Sequence, residues 1–266
     1  MMTGTLGGDK IVEREAHVHG SRWGSLYDGY FGDKLIAKNY VAAIMRVAAE
    51  CNPSVIVDLG GGTGFILEQL IEAGIADDMR LINLDESAAQ LAACEKKRIT
   101  PRNGGLQSLR RADIVNESES LMLICRSVLQ YGGVLGQKPW LKHLRGEMKE
   151  GEWFVHQSGC SDDIEAALAL NVLFEMAGVD KWVPHREAFT RLLREEKFEI
   201  AEEFHMPPLK MPSDGIAARY GVSPENMAKI KADLQKTCSN RPDMFQLTPE
   251  GFTFNFPYRV FACKAI

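Results

Sequence analysis

The run Asp58-Leu59-Gly60-Gly61-Gly62-Thr63-Gly64 places an acid ahead of four closely spaced glycines. Glycine has no Cβ, so such density serves a backbone that turns sharply or lets a ligand touch the main chain. If a helix follows the loop, the N–H groups of its first turn add a polar rim. That combination suits a nucleoside-containing cofactor. Two more acids fall at the ends of predicted strands further on. Asp85, beside Glu86, follows "LINL", and Asp113, before Ile114, follows "LRRA". An acid at the end of a second strand, in register with a glycine loop, can accept both hydroxyls of a ribose.

The glycine spacing discriminates between cofactors. A dinucleotide fingerprint, G-x-G-x-x-G/A, fails from every start. From Gly60 the third small residue falls on Phe65, from Gly61 the second falls on Thr63, and from Gly62 the third falls on Leu67. A diphosphate also wants N–H groups and no neighbouring carboxylate, whereas an ammonium and a sulfonium want acids nearby. The stretch Asp58-x-Gly60-x-Gly62-x-Gly64 resembles the first motif of class I S-adenosylmethionine-dependent methyltransferases. The resemblance runs over residues 25–206 and the closing strand, and the glycine motif is its most specific part. It implies S-adenosyl-L-methionine as cofactor and S-adenosyl-L-homocysteine as product. It further implies a seven-stranded sheet whose last strand is antiparallel. By the same resemblance Asp58, Gly60, Gly61, Gly62 and Gly64 form the cofactor loop. Asp85 and Glu86 meet the ribose, and Asp113 and Ile114 face the adenine. Arg126, Ser127 and Val128 lie under the methionine part, with Tyr131 a weaker candidate. Tyr27 and Tyr30 come from a helix before the first strand that covers the cofactor, or only pack that cap on the sheet.

Positioning these residues takes an alternation of strands and helices. Residues 54–59 are mostly β-branched and apolar without alternation, the pattern of a strand covered on both faces. Further strands are predicted at 79–84, 106–114, 121–127, 152–157, 198–205 and 252–264. Helices are predicted at 35–50, 65–73, 87–97, 139–148, 162–177, 184–196 and 224–236. This alternation implies an α/β, doubly wound, mostly parallel sheet of the Rossmann-like kind, with ligands beyond the carboxyl ends of the strands. We read the chain as one domain, 1–266. Residues 1–52 form an N-terminal cap and helix, and 53–206 plus 251–266 form the core sheet. The proline-rich stretch 207–250 is an insertion, read either as a lid over the site or as surface decoration.

Composition narrows the partners. The net charge is −5, against a general nucleic-acid binder. No "Asp/Asn-Pro-Pro-Tyr/Phe" follows the fourth strand, where the chain reads "RSVLQYGG", so the resemblance departs from enzymes that methylate base amino groups. The six cysteines form no C-x-x-C pair and no signal peptide is recognised, which predicts reduced thiols in a cytoplasm. No run approaches the roughly 20 apolar residues of a membrane span. His17 and His19 lack a third ligand, so no metal is expected. The expected reaction is transfer of the S-adenosylmethionine methyl group to a small organic acceptor, most simply to a hydroxyl or carboxyl oxygen. The transfer proceeds by in-line displacement, aided by proximity and desolvation. His156 is the candidate base, set against a reading as a packed core histidine. A homodimer stays open. Two competing readings are an NAD(P)-dependent oxidoreductase and a non-catalytic S-adenosylmethionine-binding protein.

Overall fold

The computed structural model describes residues 30–92, 94 and 98–266. Tyr27, His17 and His19 lie outside the described residues. After Phe31 the chain enters helix α1 (Lys34–Cys51), capped by Asp33, whose carboxylate accepts the amides of Leu35 (2.7 Å) and Ile36 (3.3 Å). Asn52 ends it in the left-handed conformation, just before Pro53. Then come β1 (Val55–Leu59), α2 (Phe65–Glu72), β2 (Arg80–Asp85), the short α3 (Ala88–Ala92), β3 (Ile99–Asn103), β4 (Leu121–Arg126) and α4 (Gly133–Gly146). The chain continues through β5 (Trp153–Gly159), α5 (Ile164–Met176), α6 (Arg186–Glu195), β6 (Phe198–Pro212), α7 (Ser213–Tyr220), α8 (Pro224–Thr237), β7 (Phe245–Thr248) and β8 (Gly251–Ala265).

The strands form one sheet in the order β3-β2-β1-β4-β5-β8-β6, with β7 added alongside β8. From β3 to β5 all neighbours are parallel, while β8 runs antiparallel to both β5 and β6. The seven-stranded, doubly wound sheet with an antiparallel last strand is therefore present, extended by one short strand. Burial of β1 on both faces explains why its residues are apolar without alternation, apart from Asp58. Ile56 faces a core shared with α1, α2 and α5, while Val55, Val57 and Leu59 face a second core under α4 and α6. Order reverses between β1 and β4, so the tips of β1, β2 and β4 flank the crevice where such folds bind ligands.

Four elements depart from the sequence reading. The third strand is Ile99–Asn103, not 106–114, which instead holds two 3₁₀ turns, Leu106–Ser108 and Arg111–Asp113. "ITPRN" is polar and carries Pro101, which an edge strand tolerates because its outer side pairs with no other strand among the described residues. Helix α4 begins before Pro139. β6 continues through Pro207 and Pro208 by a register shift between Met206 and Leu209. Residues 207–212 thus belong to that strand, and the rest of 207–250 folds as α7, α8 and β7. Among the described residues no helix is long and apolar enough to cross a membrane, and no group of His, Cys, Asp and Glu side chains is arranged to hold a metal.

Candidate cofactor and acceptor site

The glycine loop sits at the tip of β1, tied to β2 by Gly60 N–H donating to the Leu84 carbonyl at 2.7 Å. Gly60, Gly62 and Gly64 have φ of +68°, +57° and +80°, where a side chain is strained. Gly61 is required for another reason: a Cβ there would lie 2.3 Å from Asn83 Oδ1 and 2.6 Å from Asp58 Oδ2. The loop leads directly into α2, whose first turn has no side-chain cap.

Asp85 grips this loop. One carboxylate oxygen accepts the Gly62 amide at 2.8 Å, and the other accepts the Ser87 amide at 2.8 Å. Each oxygen keeps a further lone pair for a ribose hydroxyl. Glu86 stands beside it, exposed, accepting from Gln107 Nε2 at 2.9 Å. Beneath the loop, Asn83 donates to the Gly62 carbonyl at 2.8 Å. Asp58 is buried, and neither of its oxygens has a hydrogen-bond partner; nor do Asn83 Oδ1 and Gln90 Oε1. Burial, then the negative charge of Asp85, pushes the Asp58 carboxyl up from 3.8 to about 7, against a smaller opposing pull from Arg126. Every one of these orphaned atoms is an acceptor. The negative potential they gather under the loop favours a ligand that carries positive charge over a diphosphate. The residues present therefore fit S-adenosylmethionine. Asp58, Asn83 and Gln90 lie beneath the loop that would hold it, and Asp85 lies where its ribose hydroxyls could donate.

The tip of β4 supplies the opposite wall. Arg126 is buried, and its guanidinium donates to Gln157 Oε1 (3.2 Å), the Phe31 carbonyl (2.8 Å) and the Tyr30 carbonyl (3.4 Å). It thus fastens the start of the cap to the strand tips, with its charge over the Phe31 and Tyr30 rings. Tyr30 itself stacks on Tyr258 at 5.6 Å and donates to the Pro207 carbonyl. Ser127 carries φ +63°, a strained conformation for a residue with a side chain, held because its Oγ meets Tyr258 OH and Gln130 Nε2. Val128 packs over the loop, where a Cβ on Gly60 would strike its Cγ2 at 2.5 Å.

Three of the expected site residues do not join this group. Asp113 and Ile114 lie at the other end of the sheet: the Ile114 carbonyl accepts from Arg80, the first residue of β2, and the adjoining Arg111 pairs with Glu152 just before β5. The displaced third strand is the reason. Its true tip carries Asn103-Gly104-Gly105, with Asn103 donating to the Asp85 and Glu86 carbonyls, so no acid stands there. His156 is fully buried inside β5. It stacks between Phe154 (4.6 Å) and Phe261 (5.2 Å), and its Nδ1 is 2.8 Å from Ser158 Oγ. Burial pulls its pKa down to about 3, so it is a neutral core residue and not a base. Tyr27 lies outside the described residues. Sequence reasoning missed Asn83, Gln90 and Gln130. The first had a signal, an asparagine inside the apolar run "LINL".

No protein-family model and no curated protein matches the chain. Solved structures do. The chain is similar to a putative methyltransferase from Bacillus halodurans, with TM-score 0.66, 11% identity, and coverage of 84% of this chain and 97% of the other. It is similar to the YcgJ protein from Bacillus subtilis, with TM-score 0.63, 12% identity and coverage of 86% and 98%. A putative sarcosine dimethylglycine methyltransferase from Galdieria sulphuraria matches with TM-score 0.53, 13% identity and coverage of 86% and 85%. At these identities the likeness defines the fold. The chain has the class I methyltransferase fold.

Proposed function

We propose that the protein transfers the methyl group of S-adenosylmethionine to an oxygen of a small organic acceptor. The observation that carries this reading is the set of buried, unpartnered acceptor atoms on Asp58, Asn83 and Gln90 around a glycine loop held by Asp85. When bound, S-adenosylmethionine supplies an electrophilic methyl group for in-line displacement. The chain's own residues bind and orient. The glycines admit the nucleoside to the backbone, Asp85 and Glu86 take its sugar, and Asp58 favours its positive charge. On the acceptor side, two hydrogen-bonded sets, Ser127 with Gln130 and Tyr258, and Gln157 with Tyr30, meet through the Tyr30–Tyr258 stack beyond β4 and beside the end of β5, next to Arg126. Such groups hold a hydroxyl or carboxyl in place and exclude water, so most of the acceleration comes from proximity and desolvation. Residues 213–250 act as a lid, because β6 and β8 carry them out past Gly159, where β5 stops.

The test is methyl transfer from S-adenosylmethionine with a labelled methyl group. The acceptors are a panel of small hydroxy, carboxy, amino and carbon compounds, alongside protein and RNA. We expect label on an oxygen of a small molecule. Label found only on protein or RNA would remove the reading.

A further inference from the structure

The Asp58 carboxyl lies buried under the glycine loop and meets no donor, and Asn83 Oδ1 is in the same position. The two acceptors are brought together: a Cβ on Gly61 would stand 2.6 Å from Asp58 Oδ2 and 2.3 Å from Asn83 Oδ1. The Asn83 amide is not free to turn and offer its N–H. Its Nδ2 is held by the Gly62 carbonyl at 2.8 Å and by Cys94 Sγ at 3.3 Å. Two acceptor oxygens gathered in a buried place repel one another unless one of them carries a proton, and of these two only the carboxyl takes one.

The groups that face Asp58 from the surrounding elements point the same way. Burial favours the neutral carboxyl first, and Asp85 at the end of β2 adds a like charge. Arg126, at the tip of β4, pulls in the opposite direction, but its guanidinium is occupied by Gln157 and by the Phe31 and Tyr30 carbonyls. Tyr40 of α1 and Cys125 of β4 bring a phenol and a thiol whose own protons are held more firmly by burial, so neither adds charge. A positive charge set down above the loop reverses this balance. The loop carries glycine at four of its five positions, so little atomic bulk separates the two, and the field acts through it without contact between Asp58 and the ligand. S-adenosylmethionine brings a sulfonium that S-adenosylhomocysteine lacks. The two nucleosides therefore differ by one unit of charge at this place.

We propose that Asp58 holds a proton in the free protein and releases it to solvent when S-adenosylmethionine binds, so that the site tells cofactor from demethylated product by charge. This rests on the methyltransferase reading above. A released proton makes affinity rise with pH, by at most about tenfold per pH unit, until the free protein has itself lost that proton. After transfer the product carries one positive charge fewer, and Asp58 takes its proton back from solvent. The loop is then neutral beneath a ligand it no longer favours, and product gives way to fresh cofactor.

The test counts protons. The full chain is titrated calorimetrically near pH 6.5 with S-adenosylmethionine and with S-adenosylhomocysteine, each in phosphate and in imidazole, whose different ionisation heats reveal protons exchanged on binding. We expect release of about half a proton or more with S-adenosylmethionine and clearly less with S-adenosylhomocysteine. Between pH 6 and pH 8 the preference for S-adenosylmethionine over S-adenosylhomocysteine should grow severalfold. Asp58→Asn should abolish the extra proton and flatten the preference, and the same titrations on this variant subtract the ligands' own ionisation. Should Asp58→Asn not fold, the comparison of the two ligands on the unaltered protein decides the matter. Equal release with both ligands, no release with either, or an extra proton that persists in Asp58→Asn would overturn the proposal alone. Failure of both ligands to bind the unaltered protein would instead overturn the methyltransferase reading.

Discussion

Asp58 is the residue with most at stake. It is a buried carboxyl with no hydrogen-bond partner and Asp85 as a neighbour, and it is pushed from 3.8 to about 7. The folded protein therefore holds a proton here that the unfolded chain has released between about pH 4 and pH 7. Stability falls as pH rises through that window and levels off above it. Asp58→Asn lacks this titration. The melting temperature of the ligand-free protein relative to Asp58→Asn should drop between pH 5 and pH 8, and parallel curves would show that the carboxylate is comfortably ionised. The acid and the glycines could be read from the sequence because their relation is local and set by chain spacing. Asp113 could not be placed this way. Its role depended on which segment forms β3, and an apolar-looking stretch outscored the polar edge strand "ITPRN". His156 shows the complementary limit: inside a predicted strand a histidine reads equally as base or core residue, and the rings of Phe154, Phe189 and Phe261 packed around it decide for the core.

At the scale of elements, one side chain fixes the cap helix to the site. Tyr40 of α1 is fully buried. Its hydroxyl lies 3.0 Å from the Cys125 and Val155 carbonyls and accepts the Cys125 amide at 3.1 Å, joining α1 to β4 and β5 just below Arg126. Tyr40→Phe keeps the ring and strands these backbone groups. It should cost about 1–3 kcal/mol of stability, measured by urea unfolding, because a buried polar group left unpaired loses its solvation without return. A loss near zero would mean the helix is held by apolar packing alone. Helix α1 was legible from its apolar spacing, yet its bond to the strand tips was not, since a tyrosine in an apolar helix face reads only as core. The same holds for β6. Two successive prolines signal an end to a strand, but a register shift lets this one run on to Pro212.

At the scale of the whole molecule, two features combine. The parallel half of the sheet presents the cofactor loop, and the antiparallel pair β6–β8 extends beyond it and carries α7, α8 and β7. On the proposed function, cofactor and acceptor fall to different parts of the chain, which meet at Ser127 and Tyr258. The glycine half was legible because its geometry is common to a fold class. The other half was not, because its contacts join residues more than 80 positions apart, such as Arg219 with Tyr131 and Ser127 with Tyr258. The measurement that tests the account most directly is calorimetric titration of the folded protein with S-adenosylhomocysteine and, separately, NADH, repeated on Gly61→Val. The account predicts saturable binding of the first, none of the second, and loss of the first in Gly61→Val, whose side chain would collide with Asn83 and Asp58. Binding of NADH in place of S-adenosylhomocysteine, or no heat with either, would contradict it.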